Sequence, residues 1–136
     1  MSNERSGSCG CGTVRFVLSG EGKNVVNCHC SRCRKFNGAA FSTYAVIHKD
    51  FLKFTAGEEA LSPYALESGA ARHFCRHCGT PIYNLNPVYG DYRMVHLGAI
   101  DNPEDLRARM NIFCSTLLEW VPTVSELPSF AEKFQR

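Results

Sequence analysis

The sequence lacks a long apolar run and carries little net charge. Its 136 residues have a formal net charge of +2, with the basic residues spread along the chain. So small and scattered a charge does not indicate a nucleic-acid-binding protein. No stretch approaches the ~18 consecutive apolar residues of a membrane-spanning helix, so we expect no membrane partner. The N-terminal segment has no apolar core of the kind that signal peptides carry, and we therefore expect a cytoplasmic protein.

Length and composition indicate one folded domain over residues 1–136. Hydrophobic residues make up 44% of the chain, which is typical of a globular protein with its own core. Short segments rich in β-branched and aromatic residues alternate with turns every ~10 residues. This pattern predicts a mostly β domain of short antiparallel strands, expected at 13–19, 39–47, 51–55, 61–66, 71–74, 81–85, 92–97 and 111–114.

Turn and helix signals complete the predicted layout. One short helical turn is expected to end at Gly38, and Ser68-Gly69 predicts the turn of a hairpin. Gly20-Glu21-Gly22 predicts another turn. Asn102 followed by Pro103 resembles a capped helix start. The tail, 121–136, contains two prolines and is expected to wrap over the sheet.

Cysteine is abundant and clustered. The eight cysteines occupy four places: Cys9 with Cys11; Cys28, Cys30 and Cys33 together; Cys75 with Cys78; and Cys114 alone. In a reducing compartment, clustered cysteines are typical of metal ligands rather than disulfides. Cysteines two or three residues apart can place two thiolates on one ion. The pattern therefore predicts two Zn²⁺ ions per chain.

Two of these pairs predict a closed structural zinc site. Cys9 and Cys11 supply two thiolates, and Cys75 and Cys78 supply two more. Four thiolates complete the tetrahedral shell that Zn²⁺ prefers, so no position remains for a substrate. Such a site stabilises a fold by on the order of 10 kcal/mol.

The middle cluster predicts a different kind of site. Cys28, Cys30 and Cys33 give three thiolates within six residues. Three protein ligands and one open position are typical of a catalytic zinc, whose fourth ligand is water or a substrate thiol. Three thiolates around a divalent ion leave a charge of about −1. The neighbouring Arg32, Arg34 and Lys35 could offset that charge or hold an anionic substrate.

The fourth ligand of the second zinc has alternatives at this stage. Cys114 would close the site as a second structural centre, but a lone cysteine in the apolar segment Ile112-Phe113-Cys114 is more typical of a core residue. His29 and His77 adjoin ligand cysteines and could also fill the position. Oxidation or loss of metal would leave the middle cluster without an ion.

Several motifs together resemble one family. They are C-G-C at 9–11, C-H-C-S-R-C-R-K at 28–35 with Gly38, and S-G-A-A-R-H-F-C-R-H-C-G-T at 68–80. N-I-F-C-S at 111–115, W-V-P at 120–122 and L-P-S-F at 127–130 match more loosely. With this ordered set of cysteines, the chain resembles the glutathione-dependent formaldehyde-activating enzymes, also described as the centromere-protein-V-like zinc domain.

The resemblance implies a fold, two zinc sites and an activity. The fold would be the zinc-stabilised β-tent of Mss4-like domains. Cys9, Cys11, Cys75 and Cys78 match the structural zinc ligands of the family, and Cys28, Cys30 and Cys33 match its catalytic zinc. The implied activity is that of a carbon–sulfur lyase, which joins glutathione and formaldehyde into S-hydroxymethylglutathione or reverses that step.

The late motif departs from the family pattern, which leaves the thiol substrate open. Asn111 stands where the family has a histidine, and Thr116 stands where it has a lysine. Glu58, Glu59, Asp91 and His96 are available as bases, but no motif selects among them. The alternative function is a non-catalytic zinc module that recognises a protein or nucleic acid. Its basic patch would comprise Arg32, Arg34, Lys35, Arg72 and Arg76.

Overall fold

The computed structural model describes residues 4–20 and 24–135. Within these residues the chain forms ten β-strands and one short α-helix, α1, at Ser31–Asn37. The strands are β1 Arg5–Ser8, β2 Arg15–Leu18, β3 Asn24–Cys28, β4 Ser42–His48, β5 Leu52–Ala56, β6 Leu61–Ala65, β7 Ala71–Cys75, β8 Pro81–Leu85, β9 Tyr92–His96 and β10 Met110–Ile112. Short 3-10 turns connect several of them. No helix in the described part is long and apolar enough to cross a membrane.

The strands form two sheets around a common core. A three-stranded antiparallel sheet has the order β1-β2-β5, and a seven-stranded sheet has the order β10-β3-β4-β9-β8-β7-β6. Only β10 pairs in parallel, against β3, among the described strand pairs. Phe16 and Leu18 of β2 pack in one core cluster with Ile82 of β8 and Val95 of β9. The predicted mostly β architecture of short antiparallel strands is confirmed.

The first sheet requires a glycine where it meets the core. Gly7 lies in β1 and forms an isolated bridge with Ile100. A Cβ atom at Gly7 would lie 2.2 Å from the Phe16 ring and 2.6 Å from the carbonyl oxygen of Ala99. Strand β1 was not predicted because its sequence, R-S-G-S, has no apolar alternation. Its position depends on this close approach and on pairing with β2.

The predicted helical turn is confirmed, although it begins earlier than expected. Cys30 is the N-cap of α1, and its Sγ accepts a hydrogen bond from the backbone N–H of Cys33 at 3.2 Å. Gly38 ends the helix in the left-handed region, with φ 60° and ψ 39°. Glycine adopts this conformation without a Cβ penalty. The helix therefore follows from the capping residues at both of its ends.

The structure corrects the predicted helix near Pro103. Asn102 has φ 51°, whereas an N-cap residue normally has extended backbone angles. Only a turn forms there, with the N–H of Leu106 donating to the carbonyl of Pro103 at 2.8 Å. The Asp105 carboxylate accepts a hydrogen bond from the Arg5 guanidinium at 2.8 Å instead of lying in a first helical turn.

The end of the chain also differs from the prediction. Strand β10 stops at Ile112 because Phe113 has φ 56° and ψ 45°, and Cys114 begins a 3-10 turn. The segment 121–135 includes a 3-10 element, Val121–Glu126, and is almost entirely exposed instead of packing over the sheet. The predicted turn at 20–22 falls mostly outside the described residues.

Candidate metal centres

The four-cysteine cluster consists of Cys9, Cys11, Cys75 and Cys78. Cys9 follows β1, while Cys75 ends β7 and Cys78 lies in the turn before β8. The four Sγ atoms all lie within 4.8 Å of one another. Because β1 belongs to the small sheet and β7 to the large one, this cluster connects the two sheets. The structure thus brings together the two distant pairs that the sequence predicted to share an ion.

The sulfur separations fit a tetrahedral thiolate site. The Sγ atoms of Cys9 and Cys11 are 3.6 Å apart, and those of Cys11 and Cys75 are 3.9 Å apart. Four sulfurs at about 2.3 Å from a tetrahedral Zn²⁺ would be separated by about 3.8 Å. A disulfide would need a separation of about 2.05 Å. The cluster could therefore hold a metal ion, and its donor set is compatible with Zn²⁺.

Hydrogen bonds around this cluster favour the thiolate forms. The Thr80 hydroxyl lies 3.2 Å from Cys78 Sγ and lowers the pKa of that thiol to about 5. The Thr13 hydroxyl lies 3.1 Å from Cys11 Sγ and likewise lowers its pKa. The backbone N–H of Val14 donates to Cys9 Sγ at 3.2 Å. The Val14 N–H stabilises negative charge on sulfur, and either threonine hydroxyl can do so when the neighbouring cysteine is ionised, as a thiolate metal site requires. Burial acts in the opposite direction on Cys75 and raises the pKa of that thiol to about 11.

The three-cysteine cluster consists of Cys28, Cys30 and Cys33. Cys28 ends β3, Cys30 caps α1, and Cys33 lies within its first turn. Their Sγ atoms lie within 4.8 Å of one another. Cys33 Sγ donates to Cys28 Sγ at 3.4 Å, which raises the pKa of Cys33 and lowers that of Cys28. The cluster could hold a metal ion with three thiol ligands.

Tyr44 connects this cluster to a buried polar network. Its hydroxyl donates to Cys33 Sγ at 3.2 Å and accepts from the side-chain amides of Asn37 and Asn84, each at 3.3 Å. Burial, followed by the bond to Cys33, raises the pKa of Tyr44, so the phenol stays protonated and can donate. His96 Nε2 lies 3.1 Å from Asn84 Oδ1 and continues the network.

The sequence did not single out Tyr44. The available signal was its position in a β-strand that follows the cysteine motif. Its contact with Cys33 depends on the pairing of β3 with β4, where Val26 lies opposite Tyr44. Asn37 and Asn84 carried no signal of their own, and Arg72 was named only as part of the basic patch of the alternative function. The Arg72 guanidinium donates to Asn37 Oδ1 at 2.6 Å and lies over the Phe36 ring.

Cys114 and the histidines do not join the second cluster. Cys114 is exposed, so its interpretation as a core residue was wrong, because Phe113 turns the chain out of β10 before it. His29 is buried, and its Nε2 lies 3.0 Å from Asn111 Oδ1. His77 is exposed. Within 4–20 and 24–135, the group that could hold this ion comprises Cys28, Cys30 and Cys33 without a fourth side chain.

A large cavity opens beside the three-cysteine cluster. Its volume is about 650 Å³, within the range of small-molecule sites, and Cys28, Cys30 and Cys33 form part of its wall. Most of the other lining side chains are apolar, including Val26, Val46, Met94, Met110 and Ile112. None of the four cysteines of the other cluster lines it. The two clusters therefore differ in their access to a small molecule.

The predicted charged residues fall mostly outside this cavity. Of the basic neighbours of the cluster, Arg32 lines the cavity, whereas the Arg34 guanidinium donates to the carbonyl of Thr116. Arg76 donates to the carbonyl of Glu59 at 3.2 Å. The four candidate bases are absent from the described lining: Glu58, Glu59, Asp91 and His96.

The fold and the site define a class: a mostly β protein with two cysteine clusters able to hold metal ions, one of them beside a cavity. Comparison with protein families narrows this class. The family described as "Glutathione-dependent formaldehyde-activating enzyme" matches residues 4–116. The chain belongs to this family.

Individual relatives agree with this assignment. A protein of Pyrenophora teres f. teres named as a glutathione-dependent formaldehyde-activating enzyme is 28% identical over 133 residues, which cover 94% of this chain and 70% of the relative. A Halomonas elongata protein with the same name is 29% identical, with coverage of 85% and 78%. A Schizosaccharomyces pombe protein named as a lyase is 30% identical over 59% of this chain and 56% of its own length.

A solved structure agrees with the fold. The crystal structure of a Rhodobacter sphaeroides protein superposes with a TM-score of 0.64 and 24% sequence identity. The match covers 78% of this chain and 98% of that protein. At this identity the likeness supports the fold alone.

Proposed function

We propose that this protein is a zinc-dependent carbon–sulfur lyase that forms and cleaves adducts between a thiol, such as glutathione, and a small aldehyde. One observation carries the proposal: the three-cysteine cluster, which has no fourth ligand among the described side chains, forms part of the wall of a 650 Å³ cavity. A zinc ion with four protein ligands would have no position free for a molecule bound in such a cavity. The names of the family and of its relatives support the same chemistry.

Seven cysteines would hold two zinc ions. Cys9, Cys11, Cys75 and Cys78 would bind a structural ion that joins the two sheets, and Cys28, Cys30 and Cys33 would bind the second. An ion held by three thiolates supplies a Lewis acid with a free position, where an incoming thiol has a lowered pKa.

The reaction is an addition that needs no oxidant or reductant. The sulfur of the thiol forms a bond to the carbonyl carbon, and the carbonyl π-electron pair moves to oxygen. The proton lost from sulfur ends on that oxygen, giving a hydroxyalkyl thioether. In reverse, the C–S bond breaks, the carbonyl is restored and the proton returns to sulfur. Bringing both reactants into one cavity supplies much of the acceleration.

The protein's own residues hold the site in place. The N-cap bond from Cys33 N–H to Cys30 Sγ fixes the spacing of two ligands, and the Tyr44 hydroxyl donates to the sulfur of Cys33. Apolar side chains around the cluster keep water from the reacting atoms. No described carboxylate lines the cavity, so the proton on the product oxygen is supplied by solvent or by the reacting thiol.

Exchange NMR at equilibrium tests this proposal. Glutathione and formaldehyde form their adduct spontaneously, so the readout is the exchange rate between free and adduct signals with and without protein. We expect faster exchange with the zinc-loaded protein. Cys30→Ser should abolish the acceleration, whereas Cys114→Ser, which alters an exposed cysteine outside both clusters, should retain it. Equal exchange rates with and without the wild-type protein, for glutathione and for other small thiols, would refute the proposal.

A further inference from the structure

We infer that the aldehyde which reacts at the three-cysteine cluster carries an extended apolar substituent. The inference rests on the function proposed above and names the class of its carbonyl reactant. It follows from what surrounds the sulfurs. Cys28, Cys30 and Cys33 pack in a hydrophobic cluster with Val26, Tyr44, Val46, Met94 and Ile112. All of these residues also line the cavity.

Several polar groups of the cavity lining are bonded to one another. The Asn84 amide donates to Tyr44, and Asn84 Oδ1 lies 3.1 Å from His96 Nε2. The Arg72 guanidinium donates to Asn37 Oδ1 and to the carbonyl of Phe36. A ligand group next to the sulfurs therefore meets mainly hydrocarbon, and burying apolar surface there is favourable.

Free polar groups lie at the exposed side. Ser31 and Arg32 line the cavity and are exposed. The described lining contains no carboxylate and no lysine. A charged thiol such as glutathione can thus place its carboxylates toward solvent, Arg32 and the remaining N–H donors of Arg72, which also lines the cavity. The apolar interior is left for the group attached to the carbonyl carbon.

The size of the cavity also favours an aldehyde with an apolar substituent. A volume of about 650 Å³ exceeds what formaldehyde, which has two heavy atoms, could fill. Each methylene group transferred from water to an apolar wall strengthens binding by roughly fourfold. A chain that extends along Val46, Met94 and Met110 would therefore raise kcat/KM steeply with its length, up to the limit that the cavity sets.

A straight-chain aldehyde series tests the inference. With glutathione as the thiol, we expect kcat/KM to rise at least tenfold from acetaldehyde to hexanal. Met110→Lys should remove most of this rise, measured as the ratio of kcat/KM for hexanal to that for acetaldehyde in the same variant, and Met110→Leu should restore the ratio. Met110 lies on edge strand β10 and is 50% exposed, so the substitution is compatible with folding. Val88→Lys is the matched control, because Val88 is 82% exposed and does not line the cavity.

A binding measurement separates this inference from the proposed function. Hexan-1-ol, which cannot react, should shift the methyl NMR signals of Met94 and Ile112, whereas ethanol at the same concentration should not. Activity with acetaldehyde but no gain toward hexanal overturns the inference and leaves the proposed function intact. If no aldehyde reacts, the proposed function fails, and the hexan-1-ol experiment alone decides whether the apolar site exists. Absence of shifts in that experiment overturns the inference.

Discussion

Removing the Tyr44 hydroxyl tests whether the polar network supports the second zinc site. Tyr44→Phe keeps the buried ring and its edge contact with the His96 ring, whose centroid lies 4.9 Å away. It deletes the donor to Cys33 Sγ and the acceptor of the Asn84 amide. The Asn37 amide also loses this acceptor but retains its bond to Ser42. The variant therefore leaves one thiolate less stabilised and one buried amide without this partner.

The contacts of the Tyr44 hydroxyl indicate how much Tyr44→Phe should change stability and zinc affinity. Leaving a buried donor unsatisfied costs about 1–3 kcal/mol. Loss of a hydrogen bond that orients a metal ligand typically lowers metal affinity by about 10–100-fold, which corresponds to about 1.4–2.8 kcal/mol. The first cost arises at the Asn84 amide and affects the stability of the fold, whereas the second arises at Cys33 and affects the zinc affinity. We expect the affinity of the second zinc to fall by about 10–100-fold, with the first zinc unchanged.

Competition with a chromophoric zinc chelator measures both affinities in one titration. The four-cysteine site is the internal reference, since the Tyr44 hydroxyl bonds to Cys33 of the other cluster and the two clusters lie on different strands. Tyr92→Phe is the matched control, because Tyr92 is 50% exposed and outside the cavity lining. If Tyr44→Phe binds its second zinc within twofold of the wild-type affinity, the Tyr44 bond contributes nothing to the site and our reasoning is wrong.

Three further predictions follow from the metal sites and the core. Cys78→Ser should reduce zinc content from two ions to one per chain and lower the unfolding temperature, whereas Cys114→Ser should change neither in mass spectrometry and thermal unfolding. Ile82→Ala should lower the free energy of unfolding by about 2–5 kcal/mol in urea because Ile82 is fully buried, against less than about 0.5 kcal/mol for the exposed Val88→Ala. Burial lowers the pKa of His96 from 6.5 to about 3, so the unfolded state takes up the extra proton between these pH values and stability falls as pH falls through that window. His96→Gln should reduce that acid slope by up to about 1.4 kcal/mol per pH unit, and an unchanged slope would contradict the prediction.

The sequence predicted most of the strands that carry their own apolar or β-branched pattern, but it missed β3 although that strand contains Val25 and Val26. Strand β8 was predicted with its bounds, and β4, β5, β7 and β9 to within a few residues. Strand β1 was missed because R-S-G-S has no such pattern and depends on contacts made by Gly7. The helix expected at Pro103 failed because Asn102 adopts a left-handed conformation. Tertiary contacts, rather than local propensity, determine the conformation of such short segments.

The sequence predicted only those parts of the candidate site that follow from the spacing of the cysteines. Cysteines two or three residues apart must lie close together, so the membership of each local cluster followed from the sequence alone. Cys9 and Cys75 are 66 positions apart, so spacing alone did not place them together. They were predicted to share an ion because each belongs to a pair of cysteines and two pairs complete a tetrahedral ligand shell. Cys114 was predicted to be a core residue. The left-handed backbone at Phe113, with φ 56°, ends β10 and leaves Cys114 exposed. Tyr44 could not be selected, because strand register brings it to Cys33.

The difference between the two clusters follows from their positions in the sheets. The four-cysteine cluster joins the turn after β1 to the turn between β7 and β8, so it draws its sulfurs from elements of different sheets. The three-cysteine cluster draws its sulfurs from β3 and the start of α1, which are adjacent in sequence, and it lines the cavity. Under the proposed function, two distant segments would complete the tetrahedral shell of the first zinc, whereas one local segment would leave a ligand position of the second zinc for a thiol. We therefore expect a metal at the first cluster to stabilise the fold and a metal at the second to support the chemistry.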